Sequence, residues 1–272
     1  MSNHISAKFF GFVYSPVPSE VFSGRLPDLT NRLRRYLPRH EPHTISGFRL
    51  QVNESGVATQ QINESHQELH MVDAQGLWGV KVGNTGVSFS ASNYVSFEDS
   101  VTYIEEIVAI IAEVLEIYYF SRVSLRNINL FGLLPGEDNR FQDIQDESYW
   151  GRQEFETLQD GFVCNGASTR HEYFSHDYQT QIQLASGVVL RKQSYIPQDE
   201  WDIWKLRGGI PVQNESDAML LIDINGTRSE APMNVPDQQN NVTEYRWEHV
   251  RRSFELLHEV VNSVYFDITI KD

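Results

Sequence analysis

Apolar side chains recur at steps of three and four residues in two long segments of the chain, which is the spacing that keeps side chains on one face of a helix. The second segment repeats the spacing of the first at every position, and each is followed by Tyr-Phe. The first stripe consists of Val101, Ile104, Val108, Ile111, Leu115 and Tyr118, and the second of Trp247, Val250, Phe254, Leu257, Val261 and Val264. The pattern predicts two long helices with matched buried faces.

Shorter apolar or alternating segments predict strands around these helices. They lie at residues 9–14, 47–52, 66–72, 77–82, 87–92, 123–131, 162–174, 178–185, 188–196, 219–224 and 265–270. Hairpin turns are predicted at Gly83-Asn84-Thr85-Gly86 and at Ser186-Gly187. A further helix is expected to begin at Pro27 and to end before Pro38. A loop rich in Trp, Gly and Pro is expected at 197–211.

Each half of the chain therefore consists of antiparallel strands, a long helix and a final strand. The sequence predicts an α+β protein with two pseudo-repeated halves, each an antiparallel sheet packed on one long helix. The expected boundaries are 1–135 for the first half, 136–160 for a polar connector and 161–272 for the second half. A chain of 272 residues with 40% hydrophobic content can bury a large core and is typical of a folded protein.

The formal net charge of −15 argues against binding to the DNA backbone, because phosphate contacts draw on clustered Lys and Arg. An acidic surface favours solubility, and it also suits recognition of a basic protein. Residues 104–120 are the strongest apolar stretch, but they include four glutamates and are not expected to span a membrane. The first residues lack a signal-peptide pattern, so we expect a cytoplasmic protein.

The first predicted helix has an acidic outer face, with no Lys or Arg between Lys81 and Arg122. Like charges at close helical spacing cost a few tenths of a kcal/mol per pair, roughly. A basic protein partner could relieve this repulsion, while a solvated helix face is the alternative. The candidate partner-binding residues are Glu98, Glu105, Glu106, Glu113 and Glu116. A second copy of the chain is the other partner that we consider.

Two arginines on the strand after this helix are candidate anion-binding residues. Arg122 and Arg126 are four positions apart, so their side chains are expected on the same face of the strand. Two guanidinium groups on one face could hold a carboxylate or a phosphate. The alternative is an internal ion pair with the acidic residues of 138–147.

His66, Glu68 and His70 are the candidate metal ligands. On a strand these alternate positions share one face, and two imidazoles with a carboxylate can occupy three sites of a Zn²⁺ or Fe²⁺ centre. A solvent-facing polar edge is the alternative. The chain has no Gly-x-x-x-x-Gly-Lys, Gly-x-Gly-x-x-Gly or Gly-x-Ser-x-Gly motif and no pair of cysteines. We therefore expect no cofactor.

The segment Arg122-Val-Ser-Leu-Arg-Asn-Ile-Asn129 resembles the Arg-x-x-x-Arg-Tyr-Ile-Asn segment of a sporadically distributed, uncharacterised prokaryotic protein family. The resemblance extends to an Asp-containing strand at 220–223, a Leu257-His258 pair on a helix and a terminal Phe…Ile-Thr segment at 266–270. The sequence departs from the family at Asn127, where the family usually has Tyr. The patchy distribution of the family implies mobile or defence-associated genes, such as toxin–antitoxin or phage-resistance loci.

The leading functional hypothesis is a non-catalytic, acidic protein-interaction module, such as an antitoxin, an immunity protein or an accessory protein of phage defence. Its expected contacts are the acidic helix and the exposed faces of the sheets. One alternative is a metal-dependent enzyme or effector that uses His66, Glu68 and His70. Another is a sensor that binds a small ligand between the two halves.

Overall fold

The computed structural model describes residues 5–49, 62–92, 96–132, 144, 149, 168–175, 179–213, 219–229 and 247–269, and only the backbone at 45–49 and 62–66. In chain order they form β1 (Ile5–Tyr14), α1 (Ser19–Leu33), β2 (Arg39–Arg49), β3 (Ile62–Val72), β4 (Trp78–Val82), β5 (Gly86–Ala91), α2 (Phe97–Leu115), β6 (Phe120–Phe131), β7 (Ser168–Ser175), β8 (Thr180–Val189), α3 (Trp201–Arg207), β9 (Met219–Ser229) and α4 (Trp247–Ile268).

The strands of the described residues form one sheet of nine, in the order β2-β3-β4-β5-β1-β6-β9-β8-β7. Every neighbouring pair is antiparallel. The expectation of two halves, each with its own sheet on one helix, is therefore wrong, although the α+β class is right. The reason lies in β6, which bonds to β1 of the expected first half on one side and to β9 of the expected second half on the other, and so joins the strands of both halves into one sheet. The expected connector at 136–160 lies outside the described residues except for Ile144 and Tyr149.

The two faces of the sheet carry different layers. We call the face under α1, α2 and α4 the helical face, and it holds the largest apolar cluster, which includes Phe10, Phe12 and Leu125. Because side chains alternate along a strand, Phe9 points the other way and joins an apolar cluster with Ile203 of α3. We call this second side the α3 face.

Phe12 of β1 lies at the centre of the helical face. Its ring centroid is 5.0 Å from that of Phe254 on α4 and 5.3 Å from that of Phe120 on β6. The rings of Phe89 and Trp247 lie 5.8 Å and 6.2 Å away. Tilted and edge-on aromatic contacts at these distances stabilise a pair by about 0.5–1.5 kcal/mol beyond the burial of apolar area. This cluster holds the last helix of the chain against its first strand.

Arg207 at the end of α3 anchors that helix to the sheet. The buried guanidinium donates hydrogen bonds to the carbonyl oxygens of Gly76 (2.9 Å) and Leu77 (2.6 Å), and it lies 3.8 Å from the ring centroid of Trp204. Burial lowers the pKa of Arg207 to about 10, so the group remains charged at neutral pH. The sequence pattern predicts only a loop here, because α3 is too short to show a helical period.

The two long predicted helices are confirmed, but they end differently. Ser96 caps α2 by accepting a hydrogen bond from the backbone N–H of Asp99 at 3.1 Å, and α2 stops at Glu116, which has a left-handed φ of 56°. In contrast, α4 continues to Ile268, so the strand expected at 265–270 is wrong. No helix among the described residues is long and apolar enough to cross a membrane.

Two other local expectations are also wrong. Ser186-Gly187 does not turn: β8 runs straight through it, because Ser186 pairs with Thr169 of β7 on one side and with Ile222 of β9 on the other. The helix expected to begin at Pro27 is α1, which begins at Ser19 and contains the proline. The hairpin of β4 and β5 around residues 83–86 is confirmed.

Replacing Phe254 by Ala is expected to lower the free energy of unfolding by about 3–5 kcal/mol, because the residue is 1% exposed and its removal leaves a cavity beside Phe12. The matched control is Phe266→Ala on the same helix, where the side chain is 40% exposed and the expected loss is below about 1 kcal/mol. Urea unfolding followed by circular dichroism measures both. Equal losses for the two variants would show that the aromatic cluster does not anchor α4.

Candidate functional site

Four small residues lie directly opposite one another on four neighbouring strands of the α3 face. Ser88 of β5 pairs with Gly11 of β1, Gly11 pairs with Ser124 of β6, and Ser124 pairs with Thr227 of β9. All four are partly exposed, and they lie beyond the part of the face that α3 covers. We call this row the polar trough. It crosses the strands at right angles, because antiparallel partners align across a sheet.

A cavity of about 390 Å³ lies over the polar trough. Its floor is low because the row has no large side chain. Gly11 leaves room for the hydroxyl of Ser124: a Cβ at position 11 would lie 2.4 Å from the Oγ of Ser124, which would then have to move. Hydroxyl groups and backbone therefore form the floor along the row, and Val13, two positions along β1 on the same face, adds one apolar side chain beside it.

The two ends of the cavity differ in their chemistry. At one end Arg122, Asn225 and Thr227 line it. At the other end Glu68, Lys81 and the turn 83–86 line it. The cavity thus offers guanidinium, amide, hydroxyl, ammonium and carboxylate groups, which together can bind a ligand with both hydrogen-bond donors and acceptors.

Arg122 and Arg126 lie on the same face of β6, as their spacing predicts. Arg126 is engaged: its Nε and Nη2 donate to the two carboxylate oxygens of Asp223 at 2.8 and 2.5 Å. Arg122 is exposed and forms no ion pair with any residue that the structure describes. Of the two candidate anion-binding residues, Arg122 is the one whose charge is available to a ligand. Residues 138–147, the predicted internal partners, lie outside the described residues except for Ile144.

A buried ion pair connects the cavity to the segment before α3. The Nζ of Lys81 lies 2.7 Å from the Oε1 of Glu200 and donates to the carbonyl oxygen of Asp199 at 2.9 Å. Burial raises the pKa of Glu200, and the nearby Lys81 opposes that shift. Sequence analysis missed this pair, since the two residues are far apart in the chain.

The three candidate metal ligands fall on β3, but the structure does not describe the side chain of His66. Glu68 and His70 contact each other, with 2.9 Å between Oε2 and Nε2. His43 of β2 stacks on His70 with 4.9 Å between the ring centroids, and its Nε2 lies 3.2 Å from Asp202. Within the described part of the chain, no group of three or more His, Cys, Asp or Glu side chains is arranged to hold a metal ion.

The acidic residues of α2 have internal partners that the sequence analysis did not find. Salt bridges link Glu98 to Arg251, Glu113 to Arg32 (2.5 Å) and Glu116 to Arg25 (2.8 Å). Tyr36 forms a hydrogen bond with Glu106, which raises the pKa of the tyrosine. Partial burial raises the pKa of Glu105. Basic groups of α1 and α4 therefore compensate much of the acidic face, because these helices pack beside α2.

A lysine is buried on the helical face. Lys8 is fully buried, and burial lowers its pKa to about 7. Its Nζ lies 5.7 Å from the ring centroid of Phe10 and 5.6 Å from that of Phe97. His258 of α4 stacks on Phe97 at 4.1 Å, and burial, with a smaller contribution from Lys8, lowers its pKa to about 4. Asn127, where the resembled family usually has Tyr, is the register partner of Lys8 on β6.

No protein-family description matches this chain, and no curated protein matches it either. The case for a function therefore rests on the geometry of the site.

Replacing Lys81 by Met is expected to lower the free energy of unfolding by about 3–5 kcal/mol, because it leaves the buried carboxylate of Glu200 without its counter-charge. The double variant Lys81→Met/Glu200→Leu should lose clearly less. Chemical denaturation of the two variants and the wild type gives the comparison. If the double variant is as unstable as the single one, burial of an unpaired charge is not the cause.

The stability of the protein is expected to rise with pH above about 7, because the folded state holds Lys8 with a lowered pKa while the unfolded chain keeps the ordinary value of 10.5. The unfolded state then binds more protons, so the rise is at most about 1.4 kcal/mol per pH unit. Lys8→Met should lack this contribution. Urea unfolding between pH 7 and about 9.5 tests it, and parallel pH profiles for both proteins would contradict it.

Proposed function

We propose that the protein is a binding module whose ligand occupies the cavity over the polar trough and places an anionic group against Arg122. The observation that carries this proposal is an exposed guanidinium, without an ion pair among the described residues, at the end of a cavity floored by hydroxyl groups. A guanidinium binds carboxylate and phosphate groups with short, charge-assisted hydrogen bonds. Asn225 and Thr227 of the neighbouring strand also line the cavity, and their amide and hydroxyl groups can bind the remainder of the ligand.

The net charge of −15 does not prevent binding of an anion at this position. At physiological ionic strength, charges separated by more than about 8 Å are largely screened, so the groups close to the cavity decide the local potential. Arg122 is the nearby cation without an ion pair among the described residues, while Lys81 is paired with Glu200 and Glu68 lies at the far end of the cavity. The overall charge instead slows the encounter with an anionic ligand, which favours a site that binds by close hydrogen bonds over one that binds by long-range attraction.

This proposal moves the contact surface away from α2. The hypothesis of an acidic protein-interaction module placed the contact on carboxylates that the structure pairs with Arg25, Arg32 and Arg251. A partner protein would have to compete with these salt bridges. A role as an antitoxin, immunity protein or defence accessory protein stays a prediction, as do a homodimer and a metal-dependent activity.

Arg122→Gln is expected to weaken the binding of anions about 10- to 100-fold, because hydrogen bonds to a charged group contribute about 1.5–3 kcal/mol. The probes are inorganic phosphate, citrate, AMP and a short poly-glutamate peptide, and the measurement is isothermal titration calorimetry near 0.15 M salt. The matched control is Arg191→Gln, which removes an exposed arginine from the turn that follows β8 and does not line the cavity.

The proposal requires that at least one probe binds the wild type and the Arg191→Gln variant alike and loses affinity in the Arg122→Gln variant. Circular dichroism shows that the three proteins share one fold. If every probe binds the Arg122→Gln variant as well as the wild type, or if none binds at all, Arg122 is not the anchor of an anionic ligand.

A further inference from the structure

We infer that the ligand of the polar trough is a hydroxyl-rich anion, a sugar phosphate or a sugar carboxylate. The inference rests on the proposed function, and it adds the chemical class of the ligand. It comes from the floor and the far wall of the cavity, whose side chains select what the rest of the ligand can be.

The floor of the cavity selects for hydroxyl groups. Ser88 and Ser124 flank Gly11, and Thr227 follows Ser124 on the next strand. Neighbouring strands are about 4.8 Å apart, so the three hydroxyl-bearing residues extend across about 14 Å of the sheet. A protein hydroxyl both donates and accepts a hydrogen bond, and a sugar hydroxyl does the same. A polyol that lies along the trough can therefore satisfy each floor hydroxyl in turn.

The far wall also suits a polyol. Glu68 supplies carboxylate acceptors, and Asn84 and Thr85 of the turn 83–86 supply side-chain amide and hydroxyl groups. The carbonyl oxygen of Gly83 already accepts a hydrogen bond from the hydroxyl of Tyr14, which fixes the position of this turn. Acceptors at one end and the guanidinium of Arg122 at the other favour a ligand with hydroxyl groups at one end and an anionic group at the other.

Among the described residues, no aromatic ring faces the cavity for a nucleobase to stack on, and Val13 is the one apolar side chain of the lining on this face. Phe12 is the only aromatic residue among the described residues that line it. The ring of Phe12 lies on the helical face, where it packs against Phe254. Nucleotide sites usually hold the base between aromatic or apolar side chains, so the lining favours a sugar phosphate or a sugar acid over a nucleotide.

The same variants separate this inference from the proposed function. The probes are glucose 6-phosphate, glucuronate, glucose, inorganic phosphate and AMP, each titrated calorimetrically into the full chain. We expect glucose 6-phosphate or glucuronate to bind at least tenfold more tightly than inorganic phosphate, AMP and glucose. The comparison of the first two probes tells which anionic group the site prefers. Arg122→Gln should weaken this binding about 10- to 100-fold.

Thr227→Val removes one floor hydroxyl while keeping the shape of the side chain. It should weaken the binding of the preferred sugar anion about fivefold or more and leave the binding of inorganic phosphate unchanged. Thr102→Val, at an exposed position on α2, is the matched control and should bind like the wild type.

Three results would overturn the inference. If AMP or inorganic phosphate binds as tightly as the sugar anions and depends on Arg122, the ligand class is wrong while the proposed function stands. If no probe binds in a manner that depends on Arg122, both fall. An equal loss of affinity for the sugar anion and for phosphate in Thr227→Val would also contradict a floor that recognises hydroxyl groups.

Discussion

The pairing of β1 with β6 is the constraint on which the rest of the structure depends. β1 comes from the start of the chain and lies in the middle of the sheet, with β5 on its other side. Its alternation places Phe10 and Phe12 under α4 and Gly11 in the polar trough. A shift of one residue would exchange the two faces of β1. It would bury a glycine under α4 and fill the trough with aromatic rings, so the core and the candidate site share one register.

The polar trough can remain open because packing on the helical face of the sheet stabilises the folded state. Hydroxyl residues and a glycine at the middle of a wide sheet bury little apolar area and contribute little to folding. The helical face compensates with three helices and an aromatic cluster around Phe12. On the α3 face, Arg207 and the Lys81–Glu200 pair hold the segment that borders the trough. The packing on the helical face therefore holds in place the strands that carry the site.

Several charged groups on the helices and on the sheet are paired with one another within the described part of the chain. The carboxylates of α2 meet arginines of α1 and α4, and Arg126 meets Asp223. Most of the surface pairs contribute little to stability, about 0–1 kcal/mol each. Their main consequence here is that the paired charges are less available to a binding partner. Arg122 keeps its charge free of described partners beside a cavity, and this contrast makes it the centre of the candidate site.

The sequence by itself determined the local elements with a strong period: α2 and α4 from their apolar stripes, and the β4–β5 hairpin from its turn. It also placed Arg122 and Arg126 on one face, because that depends only on spacing along a strand. Tertiary structure decided the single sheet, the straight course of β8 through Ser186-Gly187 and the partners of the α2 carboxylates. It also brought together Gly11, Ser88, Ser124 and Thr227. These features arise from pairings between residues distant in the chain, which no local pattern of hydrophobic and polar positions encodes.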